Sequence, residues 1–155
     1  MAGRIVVGVD GSDHGRAALR FAAAEATIRR ATVVAAHAWQ FTAPIAVGTT
    51  DVLAMPAQNL GAELAADREL AERLLDEAIE EALGPAPEVE IERMLVEDAP
   101  GDGLVAAAEG ADLLVVGSRG RGSLAAAVLG SVSHHAVQHS PCPVVIVRAD
   151  HDRER

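Results

Sequence analysis

The chain has 155 residues, the size of one ordinary domain able to bury a core without disulfides or a structural metal, and half of those residues are hydrophobic. No apolar run approaches the roughly eighteen residues that would span a bilayer, and a formal net charge of -10 opposes an unaided hold on a polyanion, so neither a membrane nor a nucleic acid is an expected partner. All thirteen basic residues are arginine, which excludes a lysine-dependent phosphate loop and Schiff-base chemistry, and the lone Cys142 excludes an internal disulfide or a cysteine-rich zinc site.

The start, Met1-Ala2-Gly3-Arg4-Ile5, runs directly into a strand-like segment without an apolar leader, so a cytoplasmic location is expected. Arg4 to Val9 reads as a first strand, nearly continuous in Ile and Val as a strand covered on both faces should be. Asp10-Gly11-Ser12-Asp13 then forms a turn whose Ser or Asp can cap a helix, expected over Asp13 to Arg30 with Ala17, Phe21, Ala24 and Ile28 as its apolar stripe. Thr32 to Trp39 is the second strand. Gln40 to Leu60, rich in Pro, Gly, Thr and small apolar residues without a clean period, reads as a long loop. A long helix is expected from Ala62 to Leu83, buried along Ala71, Leu74, Leu75, Ala78 and Ala82 and ended by Gly84-Pro85.

Val89, Ile91 and Met94 to Val96 suggest a third strand, Pro100 to Glu109 a short helix, and Asp112 to Val116 a fourth strand. A glycine-rich loop follows, then a short helix from Ser131 to His139 and a last strand from Val144 to Arg148. Strands and helices in alternation imply an α/β domain, a parallel sheet with helices on both faces, over residues 1-149, with 150-155 as a polar tail. Cys142, between Pro141 and Pro143, reads as an inert buried thiol.

The stretch that carries chemistry is Gly117-Ser118-Arg119-Gly120-Arg121-Gly122-Ser123, which leads to Gly130-Ser131-Val132-Ser133. Glycines let consecutive backbone N–H groups approach phosphate oxygens, and the N-terminus of the following helix favours an anion, with serine hydroxyls as further donors. The spacing Gly117-x2-Gly120-x9-Gly130-Ser131 closely resembles the motif of the ATP-binding branch of the universal stress protein family, G-2x-G-9x-G-(S/T). The opening Ile5-Val6-Val7-Gly8-Val9-Asp10-Gly11-Ser12 and the closing Ser140-Pro141-Cys142-Pro143-Val144-Val145-Ile146-Val147 extend the resemblance over nearly the whole chain.

That resemblance implies a five-stranded parallel sheet of order 3-2-1-4-5, Rossmann-like in the manner of the adenine nucleotide alpha hydrolases. It also implies ATP as cofactor, with Mg2+, in a stress-response signalling or regulatory protein that forms a homodimer through its last strand. Carried over by position, it sets the phosphates on Gly117, Arg119, Gly120, Gly130, Ser131 and Ser133, with Val132 adding a backbone amide. Asp10 would face the ribose or the metal, Gly8 would line the floor, and Ala38 would offer its backbone to the adenine edge. Asp10 can equally open an Asx-turn that caps the first helix.

His135 and His139 have the i, i+4 spacing of a zinc pair, but Ala136-Val137-Gln138 between them lacks a protease glutamate, so ordinary helix-surface histidines are expected; His37 reads as a satisfied core residue. No nucleophile–base pair is specified, so slow ATP turnover is the alternative to a purely binding role, and a nucleotide-free dimeric interaction module is another. A phospho-receiver of similar architecture, with Asp98 as acceptor, fails for want of its lysine.

Overall fold

The sheet is built from runs of Val, Ile and Leu whose side chains alternate between two helical layers. The computed structural model describes residues 3–41, 57–120 and 129–149. Five strands, β1 (Arg4–Gly8), β2 (Thr32–Trp39), β3 (Ile91–Glu97), β4 (Leu113–Gly117) and β5 (Val144–Val147), alternate with four helices, α1 (Asp13–Arg29), α2 (Ala57–Leu83), α3 (Pro100–Ala107) and α4 (Ser131–His139). All pairings are parallel and the order is β3-β2-β1-β4-β5, as the resemblance implies. Ile5 stands opposite Val33 on one side and Leu113 on the other, which centres β1 in the sheet.

One face buries Ile5, Val7, Val33, Ala35 and Val115 against Ala18, Leu19, Ala22 and Ala26 of α1 and Leu75, Ala78 and Ile79 of α2. The other buries Val6, Val34, Leu114 and Val116 against Leu104 and Ala107 of α3, its C-cap Ala108, and Ala136 of α4. Odd and even positions of β1 thus feed different cores, the strand periodicity of two made visible. Each large apolar side chain removed from water here contributes about 1.5–3 kcal/mol.

The buried face of α1 differs from the expected stripe. Of that stripe Ala17 is buried and Phe21 packs half-buried against the core, but Ala24 is exposed and Ile28 is 77% exposed, and Ala18, Leu19, Ala22 and Ala26 are inside. Small residues dominate the contact because they let the helix axis lie close to the strands. The loop expected through Leu60 is corrected at its end: α2 already begins at Ala57. Gly61, which suggests a break, sits inside this helix with open space around it. Residues 42–56 of the expected loop and the tail 150–155 lie outside the described residues. The remaining boundaries shift by one or two residues; Gly117, expected to follow β4, is its last member and pairs with Val147.

Candidate functional site

The crossovers from β1 and β4 leave the sheet on opposite faces, because α1 packs on one core and α4 on the other. Between two adjacent strands that diverge in this way a crevice opens at their carboxyl ends. β1 leaves through Val9-Asp10-Gly11-Ser12, with Gly11 at φ 75°, a left-handed conformation that suits glycine. Asp10 Oδ1 accepts hydrogen bonds from the Ser12 amide at 3.0 Å and the Ser12 hydroxyl at 2.5 Å, and Ser12 Oγ accepts from the Gly15 amide at 3.1 Å. This is the Asx-turn weighed for Asp10, and its serine caps α1.

The loop after β4 closes onto the same point. A Cβ on Gly120 would stand 2.6 Å from Asp10 Oδ2, so the absence of a side chain there is what lets the loop meet the carboxylate. A Cβ on Gly117 would stand 2.8 Å from the backbone carbon of His14, so this glycine admits the first turn of α1. Ser118 donates its amide to Val147 O at 2.7 Å, and its carbonyl accepts from the Gly130 amide at 2.9 Å and from Ser133 Oγ at 3.1 Å. Two described ends of the glycine-rich segment, 118–120 and 130–133, are thereby stitched together. Arg119 is half-buried on the first of these, its Cα 3.4 Å from where a Gly130 Cβ would be.

At its N-terminus α4 has Gly130 as N-cap and no side-chain cap. The amides of Ser131, Val132 and Ser133 have no hydrogen-bond acceptor among the described residues, whereas α1 is closed by its own Ser12. The open donors and the positive dipole end that suit an anion therefore belong to α4.

Seven of the expected residues converge here: Asp10, Gly117, Arg119, Gly120, Gly130, Ser131 and Val132. The other three, Ser133, Gly8 and Ala38, make contacts within the fold. Ser133 is buried, with its hydroxyl directed to Ser118 O and Gly130 O, leaving its amide toward the helix end. The side of Gly8 where a Cβ would project is filled by Leu104, 2.6 Å from that point, so this glycine seats α3. Ala38 packs its methyl beside Gly103 at the carboxyl end of β2. Arg121, the second arginine of the loop, lies outside the described residues.

Sequence reasoning named Ser12 as a cap but gave no role to Ser118 or Gly15. Ser118 is buried, and its Oγ has no hydrogen-bond partner among the described residues. Gly15 could have been noticed as a glycine in the first turn of a helix: a Cβ there would stand 2.7 Å from Asp10 Oδ1. Away from the crevice, His135 Nε2 lies 2.9 Å from Asp102 Oδ1 and its ring stacks on His139, while Cys142 is half-buried rather than buried. Among the described residues no group of three or more His, Cys, Asp or Glu could hold a metal, and no helix is long and apolar enough to cross a membrane.

The family model for the universal stress protein family matches residues 1–148. The chain belongs to that family. It is 37% identical over 144 residues, 93% of its length, to the universal stress protein Rv2623 of Mycobacterium tuberculosis. It spans 44% of that relative, less than half the length of the curated proteins it matches. Among solved structures it is similar to a universal stress protein in complex with cAMP, at 33% identity, TM-score 0.58 and coverage of 96% of this chain and 98% of the other. A universal stress protein from Lactobacillus plantarum shares the fold, with TM-score 0.65, 23% identity and coverage of 94% and 97%.

Proposed function

We propose that this universal stress protein binds ATP, with Mg2+, in the crevice between Asp10 and the Gly117–Gly120 loop, and acts in stress-response signalling or regulation through its nucleotide-dependent state. The observation that carries this reading is the open amino end of α4 set against a glycine loop where β1 and β4 part. Backbone amides of Ser131, Val132 and Ser133 would take phosphate oxygens, with Arg119 as the cationic side chain of the loop. The relative crystallised with cAMP, which carries the same adenine, ribose and phosphate parts, supports an adenine nucleotide as the ligand class.

Asp10 brings a carboxylate to the crevice, which suits Mg2+, an ion commonly held by one or two carboxylates together with the nucleotide's own phosphates. Because Asp10 Oδ1 is already engaged by Ser12, it is a poor base for activating water, and binding rather than efficient hydrolysis is the function proposed.

Residues 1–149 act as one nucleotide-binding domain in this reading, and a second copy of the chain is the proposed protein partner. β5 is an edge strand whose Val144–Val147 are only partly covered, and an unpaired apolar edge is a template for another strand. Calorimetric titration with ATP, ADP, AMP and cAMP, with and without magnesium, tests the ligand. Saturable ATP binding strengthened by magnesium is expected. Heat with cAMP but none with ATP would remove the triphosphate, and no heat with any of the four would remove the site.

A further inference from the structure

β2 outruns its neighbour. β1 ends at Gly8, opposite Ala36, whereas β2 continues through His37, Ala38 and Trp39. His37 therefore stands beside the chain where it turns away toward Asp10, and its Nδ1 lies 2.7 Å from the carbonyl oxygen of Val9. A carbonyl can only accept, so Nδ1 carries the proton, and in the neutral ring Nε2 is left as an acceptor. Nε2 has no hydrogen-bond partner among the described residues, and the side chain is half-buried. The expected satisfied core histidine is thus satisfied on one nitrogen only, with its ring anchored to Val9, the residue that precedes Asp10 in the chain.

The ends of β4, β1 and β2 lie side by side in the sheet. Neighbouring strands are about 4.8 Å apart, so β2 lies roughly 10 Å from β4. That matches the reach of a nucleotide whose phosphates sit at α4 and whose sugar faces Asp10, and it brings the base to the end of β2. We propose that His37 is a specificity-determining residue: its Nε2 accepts a hydrogen bond from the exocyclic amine of the base, so the site selects 6-aminopurines over 6-oxopurines. This inference rests on the proposed nucleotide site. A 6-oxo group offers only lone pairs to an acceptor nitrogen, so the same contact that holds adenine repels hypoxanthine.

The test compares ATP with inosine triphosphate, identical but for the 6-position, by calorimetry on the wild-type chain, His37→Asn and His37→Gln, with melting temperatures alongside. Wild type should prefer ATP by about fivefold to tenfold, the worth of one hydrogen bond. Asparagine sets an N–H where Nδ1 was and keeps the Val9 contact, so His37→Asn should melt like wild type yet bind both nucleotides equally. Glutamine sets its amide oxygen near the Nε2 position and should retain part of the preference. On the wild type, 15N spectra should show the His37 Nε2 resonance moving on addition of ATP and not of inosine triphosphate. An unchanged preference in His37→Asn, or an Nε2 resonance unmoved by saturating ATP, would overturn the proposal. Tight but equal binding of both nucleotides by wild type would overturn it while leaving the nucleotide site in place, and no binding of either would remove both.

Discussion

Gly117 and Gly120 stand three residues apart, and they answer to different neighbours. The atom that crowds a side chain at Gly117 belongs to the backbone of His14, which cannot give way, whereas at Gly120 it is the carboxylate tip of Asp10. Gly117→Val is therefore expected to destabilise the fold by about 1–3 kcal/mol, read as a melting temperature lower by about 2–4 °C for each kcal/mol. Gly120→Val should keep the melting temperature close to wild type, because Gly120 is exposed and a side-chain tip can move. Its ATP affinity should fall by at least about tenfold, roughly 1.4 kcal/mol, since the displaced group is Asp10 itself. Equal ATP affinity in Gly120→Val, measured by calorimetry, would take the loop out of the site. The glycine spacing is legible in the chain, but the partner each glycine serves is not: the side of Gly8 where a Cβ would project is filled by Leu104 of α3.

Among the elements, α1 shows where periodicity alone misleads. Alanines at many positions make several stripes nearly equivalent in the sequence, and only contact with the sheet selects Ala18, Leu19, Ala22 and Ala26. Leu19→Ala should cost about 2–5 kcal/mol in urea unfolding, while Ile28→Ala should stay within about 0.5 kcal/mol; the reverse ordering would restore the stripe through Ile28. The same helix ends on Arg30 at φ 55°, ψ 46°, a left-handed conformation that disfavours a residue bearing a Cβ. Arg30→Gly is accordingly expected to stabilise the chain by up to about 1 kcal/mol, and a lower urea midpoint would contradict this. α2 was legible along its buried face, where Ala71, Leu75 and Ala78 are inside as expected, but not at its start. Pro56 in the sequence is a start signal, masked by the Gly61 that follows.

At the scale of the whole molecule, the strand order joins what the chain separates. Asp10 and Gly120 are more than a hundred residues apart, and they meet because the third crossover carries the chain from the β3 edge back to the other side of β1. The same order leaves β5 as an edge, and light scattering at micromolar protein is expected to give the mass of two chains; the mass of one would refute pairing through that edge. Strand and helix alternation, the glycine motif and the lack of lysine are properties of local order along the chain, so the sequence by itself determined the α/β class, the family resemblance and the exclusion of a lysine-bearing phosphate loop. Tertiary structure decided the rest: which face of α1 is buried, that the Ser133 hydroxyl bonds inward, that His37 bonds through Nδ1 to the Val9 carbonyl, and that α4 rather than α1 keeps an open amino end. Each of these depends on which distant groups arrive within a few ångströms, and local propensity carries no information about such distances.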